Sequence, residues 1–523
     1  MARGVTMGAL VWAVTVTGGA QAKRPMELED MFRLKRVADP QVSPDGTRVA
    51  YVVTEVLKDE NRTNADIWVV PMDGSAAPKK LTSSPKHDRH PRWSPDGKWI
   101  AFESMRDGTP QIFLLPTDGG EPRKLTTLFT GATQPIWSAD GTMIAFVSAV
   151  FPEFSSRPFA EADKANKEKQ EARDNGKVKA RVIDKLLYRH WDEWVDDKRQ
   201  HLFVVRVKPD GTAEGEPRNV TPGENDAVPT SSTFSAGDEF AFSPDGKELA
   251  FCAPPLPVRE QAWSTNHDVW TVNLATGARA NVTEANLAAD GFPRYSPDGK
   301  YLAYRAQRRA GFEADRWELV VLERANGRRM SLTGNWDNSV DAFSWANDGM
   351  ILFEAQESGV SPIWQVPVAG GAAPVNMTGG GVCSDAQLTR RGDLVFLQQR
   401  MNHPPEVAVR RANDARPRML TQTNDALLAT IELNAPDSVT VPGAGRTPVQ
   451  MWIVKPPQFD PAKKYPLVFW VHGGPQVAVL DSWSTRWNPQ VWAAQGYVIA
   501  LPNARGSTGF GQKFVDEISH DWG

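Results

Sequence analysis

Two cysteines in 523 residues make no disulfide framework, so covalent staples do not hold this chain together. Cys252 follows Phe251 in an apolar run and reads as a buried thiol, although one bridge to Cys383 stays open. No metal-ligand spacing is present, and no metal or other cofactor is expected. An excess of one charge is also missing. The net charge is −4, with 59 basic and 63 acidic residues interspersed, which gives no reason to expect nucleic acid or an anionic membrane as partner. Long apolar runs are missing beyond residue 22. The one early run, Gly4 to Ala22, follows Arg3, is diluted by Thr and Gly, and ends in the small-x-small pattern Ala20-Gln21-Ala22. Residues 1–22 are therefore expected to be a signal peptide. The mature chain would begin at Lys23, exported to the periplasm or outside the cell and free of the membrane. The sequence does not mark an oligomeric state.

What is plentiful is turn-forming residues, 41 glycines and 40 prolines, together with 19 tryptophans. They fall into a repeat. Ser-Pro-Asp-Gly occurs at 43–46, 94–97, 243–246 and 296–299, with weaker copies at 138–141, 346–349 and 389–392. Pro fixes one backbone angle and Gly accepts the left-handed one, so each copy is a tight turn. An apolar run follows each turn, as in Val49–Val53 or Tyr301–Tyr304, and then a second, as in Asp66–Val70 or Glu318–Leu322. Each unit closes on Leu-Thr or a near copy: Thr82, Thr126, Thr221, Thr283, Thr333, Thr378 and Thr421. Three markers recur seven times in register, with a usual period of about 45–50 residues, the length of a four-stranded blade. One such unit cannot bury its apolar face alone, so the units must stack radially. The expectation is a mainly β fold: a seven-bladed β-propeller over residues 30–425, with tryptophans filling the gaps between sheets.

The third unit is interrupted at about 150–199. Residues 160–173 are rich in Glu, Lys, Ala and Arg and favour helix. The second half is Tyr188-Arg189-His190-Trp191-Asp192-Glu193-Trp194. Two readings stand for it, an aromatic plug at a blade edge or a loop facing substrate. In the second, Arg189, His190, Trp191, Asp192, Glu193 and Trp194 are candidates for substrate binding.

After Thr421 the pattern changes. Val449–Val454 reads as a strand, and Tyr465–Val471 as a strand buried on both faces. His472-Gly473-Gly474-Pro475 follows, then a helix over 487–495, a buried strand Tyr497–Leu501, a glycine-rich loop from Asn503 to Gly511, and a helix from Gln512 to Ser519. Such alternation opens an α/β fold over 430–523. A glycine pair directly after a buried strand lets backbone N–H groups approach a reacting carbonyl, so Gly473 and Gly474 are candidate oxyanion-hole donors.

Seven blades, Val-His-Gly-Gly-Pro, the loop Asn-x-Arg-Gly-Ser-x-Gly-x-Gly and a final Asp521-Trp522-Gly523 together resemble the prolyl oligopeptidase family of serine peptidases. Arg189-His190-Trp191-Asp192, Lys198-Arg199 and Trp263-Ser264-Thr265-Asn266 look like its dipeptidyl peptidase V branch, with acylaminoacyl peptidases the next match. The resemblance implies an α/β-hydrolase domain and serine-type cleavage of short peptides, often releasing N-terminal dipeptides, with the propeller limiting access. It also implies a Gly-x-Ser-x-Gly nucleophile elbow followed by Asp and His. No Gly-x-Ser-x-Gly occurs in these residues. The expectation is a fragment whose hydrolase domain is incomplete, whose triad lies beyond Gly523, and which is inactive by itself. The alternative is a TolB-like propeller that binds a periplasmic protein.

Overall fold

The computed structural model describes residues 22–190, 193–230 and 234–521. The expected signal peptide lies almost wholly outside them. Seven four-stranded antiparallel sheets succeed one another at 36–80, 88–124, 133–219, 240–281, 290–331, 343–376 and 382–419. These are blades 1 to 7 of a propeller.

Side-chain alternation along each strand explains why the blades stack. Neighbouring residues point to opposite faces, so Val49 packs towards blade 7 while Ala50 packs towards blade 2. Each of the seven seams accordingly has its own apolar cluster, such as Ile112 with Phe146 and Phe203 between blades 2 and 3. Tryptophans join some seams by hydrogen bonds as well as by packing. The indole N–H of Trp93 donates to the Gln41 carbonyl at 2.9 Å, and those of Trp137 and Trp345 donate to Arg92 and Arg294 carbonyls at 3.1 Å.

The repeat markers have physical roles. In the Ser-Pro-Asp-Gly turns the serine hydroxyl donates to the aspartate and accepts the N–H at the head of the next strand, as at Ser43 (2.6 Å to Asp45, 3.0 Å from Arg48). The same pair of bonds recurs at Ser94, Ser243 and Ser296. The closing threonines act identically in all seven blades. Each hydroxyl accepts a backbone N–H from the third strand at 2.8–3.0 Å, completing the outer edge of the sheet.

The first and last blades share no strand. Side-chain amides bridge them instead. Gln387 donates to the Pro40 carbonyl at 2.8 Å and accepts the Val42 N–H at 3.0 Å. Across the ring, Arg92 pairs with Asp39 of blade 1 at 2.9 Å and with Asp238, just before blade 4, at 3.1 Å. Burial alone would raise the Asp238 carboxyl, but the charges of His90 and Arg92 hold it well below the usual range.

The interruption of blade 3 leaves between its second and third strands, whose pairing runs unbroken from Met143↔Arg206 to Val150↔Arg199. It carries helix α1, Phe159–Asn175, where the Glu/Lys/Ala/Arg composition predicts one. Both cysteines are buried and free, as the apolar context of Cys252 suggested for that residue.

Beyond the propeller lies a mixed sheet of four strands: β1 Asp437–Pro442, β2 Pro448–Val454, β3 Leu467–Phe469 and β4 Val498–Asn503. Their spatial order is β1-β2-β4-β3, with β3 parallel to β4 and the other pairs antiparallel. Helix α2, Pro489–Ala493, makes the crossover between the parallel pair, capped by the Asn488 side chain, and α3, Gln512–Asp516, follows. One sequence expectation is corrected here, and one strand is added. Tyr465–Val471 is not a strand buried on both faces: only 467–469 is strand, it lies at the sheet edge, and Leu467, Phe469 and Val471 are exposed. Strand β1 was not foreseen, because Ser438 and Thr440 alternate with valines on an exposed hairpin and leave no apolar run.

Candidate active site

The turn His472-Gly473-Gly474-Pro475 leaves the C-terminal end of β3, next to the loop 503–511 that leaves β4. The C-terminal ends of parallel strands are where open α/β sheets bind ligands. The two glycines differ. Gly474 has φ +134, and a Cβ there would meet the Val477 side chain at 2.9 Å and the Gln476 nitrogen at 3.1 Å, so geometry demands glycine. At Gly473 an added Cβ would meet nothing within 4 Å, so its backbone borders open space.

The glycine-rich loop holds this turn from both ends. The Ser507 hydroxyl donates to the Ala504 carbonyl at 2.6 Å, and the Nε2 of His472 lies 3.0 Å from it, placed to donate. Beyond the turn, Asn503 accepts the Val479 N–H at 2.7 Å and donates to the Val479 carbonyl at 3.0 Å. The Trp452 indole donates to that same carbonyl at 3.0 Å. Ser507 is fully buried and its hydroxyl is committed to the backbone, so it does not serve as a nucleophile despite its histidine neighbour.

Blade 6 carries the loop in turn, while blades 5 and 7 hold the neighbouring segments. Thr508 donates to the Gln356 side chain at 2.6 Å, and the Ser358 N–H donates to the Gly509 carbonyl at 2.8 Å. Gly509 has φ +81, and a Cβ there would meet Gln356 backbone at 3.1 Å. Arg309 of blade 5 grips Asp516 of α3 with two bonds of 2.9 and 2.8 Å. Asp481 accepts the Met401 N–H at 2.8 Å and pairs with Arg400 at 3.1 Å.

Four of the other candidate residues lie apart from this turn in sequence and pair as a short hairpin, Arg189–His190 with Glu193–Trp194, in the backbone register Arg189↔Trp194 and His190↔Glu193. Trp191 and Asp192 lie outside the described residues. Tyr188 and Trp194 are partly exposed with ring centroids 6.2 Å apart, and the Arg181 guanidinium stacks 4.7 Å over Trp194. Among the described residues no group of three or more His, Cys, Asp or Glu side chains is placed to hold a metal. Sequence reasoning missed the support given by Asn503 and Ser507. Their membership of the glycine-rich motif was the available signal.

A propeller followed by an α/β sheet with a glycine turn at the end of a parallel strand defines a class, and comparison with known proteins narrows it. The TolB beta propeller domain model matches residues 32–167 and 239–435, and the prolyl oligopeptidase family model matches 483–523. The chain is 30% identical over 514 residues to dipeptidyl-peptidase 5 of Porphyromonas gingivalis, covering 98% of this chain and 72% of that protein. It is 33% identical over 364 residues to a probable dipeptidyl-peptidase 5 of Trichophyton verrucosum, covering 66% of this chain and 50% of that one. Among solved structures it resembles the acylaminoacyl peptidase of Pyrococcus horikoshii, with a TM-score of 0.72 at 16% identity over 94% of this chain and 68% of the other, a likeness of fold. The chain belongs to the prolyl oligopeptidase family of serine peptidases.

Proposed function

We propose that this chain forms the propeller and the oxyanion-binding part of an exported dipeptidyl peptidase that removes N-terminal dipeptides from short peptides. The Gly473–Gly474 turn carries the reading. It sits at the C-terminal end of β3, is pinned by Asn503 and next to Ser507, and opens at Gly473 onto free space. Donors fixed before reaction stabilise the oxyanion of a tetrahedral intermediate without reorganising during it. The 30% identity with a dipeptidyl-peptidase 5 along nearly the whole chain supports the choice of dipeptide release. In this reading an acid of the segment 188–194, Asp192 or Glu193, meets the substrate ammonium group, since an acid pairs with it at short range. The propeller limits access to small peptides. Export rests on the run ending at Ala22. Among the described residues no helix is long and apolar enough to cross a membrane.

The 523 residues by themselves are expected to be inactive, because they contain no Gly-x-Ser-x-Gly to supply a base-activated serine. Fluorophosphonate labelling should leave the polypeptide of this sequence unmodified, whereas protein purified from its native source should be labelled. The native protein should also cleave free-amine dipeptidyl substrates well and their N-acylated forms poorly. Stoichiometric labelling of the 523-residue chain would overturn the first expectation. Preference for N-acylated substrates would replace dipeptidyl with acylaminoacyl cleavage.

A further inference from the structure

Helix α1 is unusual in how it meets the blade. A surface helix normally packs through an apolar stripe. This one has Phe159 as its only large apolar residue, and its one buried residue is Asn166. Two polar side chains hang it from the backbone of blade 3 and the preceding loop. Asn166 accepts the Phe151 N–H at 2.8 Å, and Asp163 accepts the Phe129 N–H at 2.9 Å. A helix suspended in this way does not close down on the blade. Between them lies a cleft of about 560 Å³, walled by Leu128, Val150, Phe203, Pro217 and Pro222, with Phe159 at the helix end. That volume is in the range of small-molecule sites, and the apolar wall is matched by polar groups, among them the acids Asp163 and Glu216.

One polar group there lacks a charge partner. The second carboxylate oxygen of Asp163 carries no hydrogen bond among the described residues, and no cation pairs with the group. Burial raises its pKa, opposed by the Phe129 N–H hydrogen bond and the Lys167 charge. The two arginines on the rim are engaged elsewhere: Arg157 is exposed and stacked 4.6 Å over Phe154, and Arg218 donates to the Leu274 carbonyl.

We propose that the cleft between α1 and blade 3 binds a small apolar molecule bearing one ammonium group, with the apolar body against Phe203 and Val150 and the ammonium on Asp163. Removing apolar surface from water supplies the driving force, and the half-buried carboxylate selects the charge.

The test uses two near-isosteric probes, tryptamine and its neutral alcohol tryptophol, titrated into the full chain by calorimetry and followed by saturation-transfer NMR. Tryptamine should bind at one site, about tenfold tighter than tryptophol. Asp163→Asn keeps the oxygen that accepts the Phe129 N–H and removes the charge, so it should erase that difference. Ala162→Phe should fill the cleft and abolish binding of both probes. Equal binding of the two probes, no saturable binding, or a preference that survives Asp163→Asn would each overturn the proposal. Should Asp163→Asn fail to fold, the wild-type probe pair and Ala162→Phe still decide it.

Discussion

The propeller and the sheet that follows it solve the same burial problem to different extents. Every blade has an apolar cluster on each side, because the ring gives it two neighbours. The β1-β2-β4-β3 sheet has one cluster, in which Trp452, Val454, Ile499 and Leu501 pack with Met401 of the propeller. Its edge strand β3 shows Leu467 and Phe469 to solvent at 60% and 57% exposure, and Trp487 and Trp492 are exposed nearby. Closing a ring removes the apolar faces that a single sheet leaves open.

The largest test of that contrast is a cavity in one seam. Phe146 is fully buried between blades 2 and 3 and stacks on Phe203 at 5.7 Å. Phe146→Ala should cost about 3–5 kcal/mol, seen as a lower denaturant midpoint for the whole propeller. Unfolding confined to one blade would show that the seams do not share their stability.

A smaller effect comes from a titratable group inside the ring. Burial depresses the pKa of His201 to about 4, and its ring accepts from the Asn219 amide at 3.0 Å. Between pH 6.5 and 4 the unfolded chain binds a proton there that the folded chain does not, so stability falls on acidification. The loss by pH 4.5 should be about 2–3 kcal/mol. His201→Gln should flatten that part of a plot of Tm against pH, and an unchanged slope would assign the acid sensitivity elsewhere.

The smallest effect on stability belongs to the open edge. Phe469→Lys should shift stability by no more than about 0.5 kcal/mol while lowering self-association in light scattering. A marked fall in Tm would mean that the edge is less open than its exposure implies.

The same contrast explains what could be read from the sequence. Blades announce themselves because one unit is written seven times, so a weak copy such as Thr389–Gly392 is recognised by its place in the register. The structure adds why it works: Thr389 accepts the Asp393 N–H at 3.1 Å, much as serine accepts the strand N–H in the five serine-bearing turns. The last sheet appears once, and nothing averages over its irregularities. Tyr465–Val471 has the composition of a central strand, but sequence does not say which neighbours are present, so its exposure was misjudged. The glycine turn was legible because residue type and position coincide there. Its bracing by Asn503 and Ser507 was not, since those contacts join positions 24 and 35 residues apart. The cleft under α1 was equally hidden: the composition predicts a helix, and only the geometry shows that it is suspended.

The detour through α1 also bears on how the molecule assembles. In blade 1 the second and third strands are joined by residues 58–61, so they meet almost as soon as they are made. In blade 3 the equivalent strands end at Val150 and restart at Arg199, with 48 residues to be looped out before they can pair. The entropy of closing a loop grows with the logarithm of its length, so this difference is worth about 2 kcal/mol. Blade 3 is therefore the costliest hairpin of the seven to nucleate, and its neighbours' seams wait on it. Shortening the excursion should speed folding of the ring even though no contact within any blade has changed.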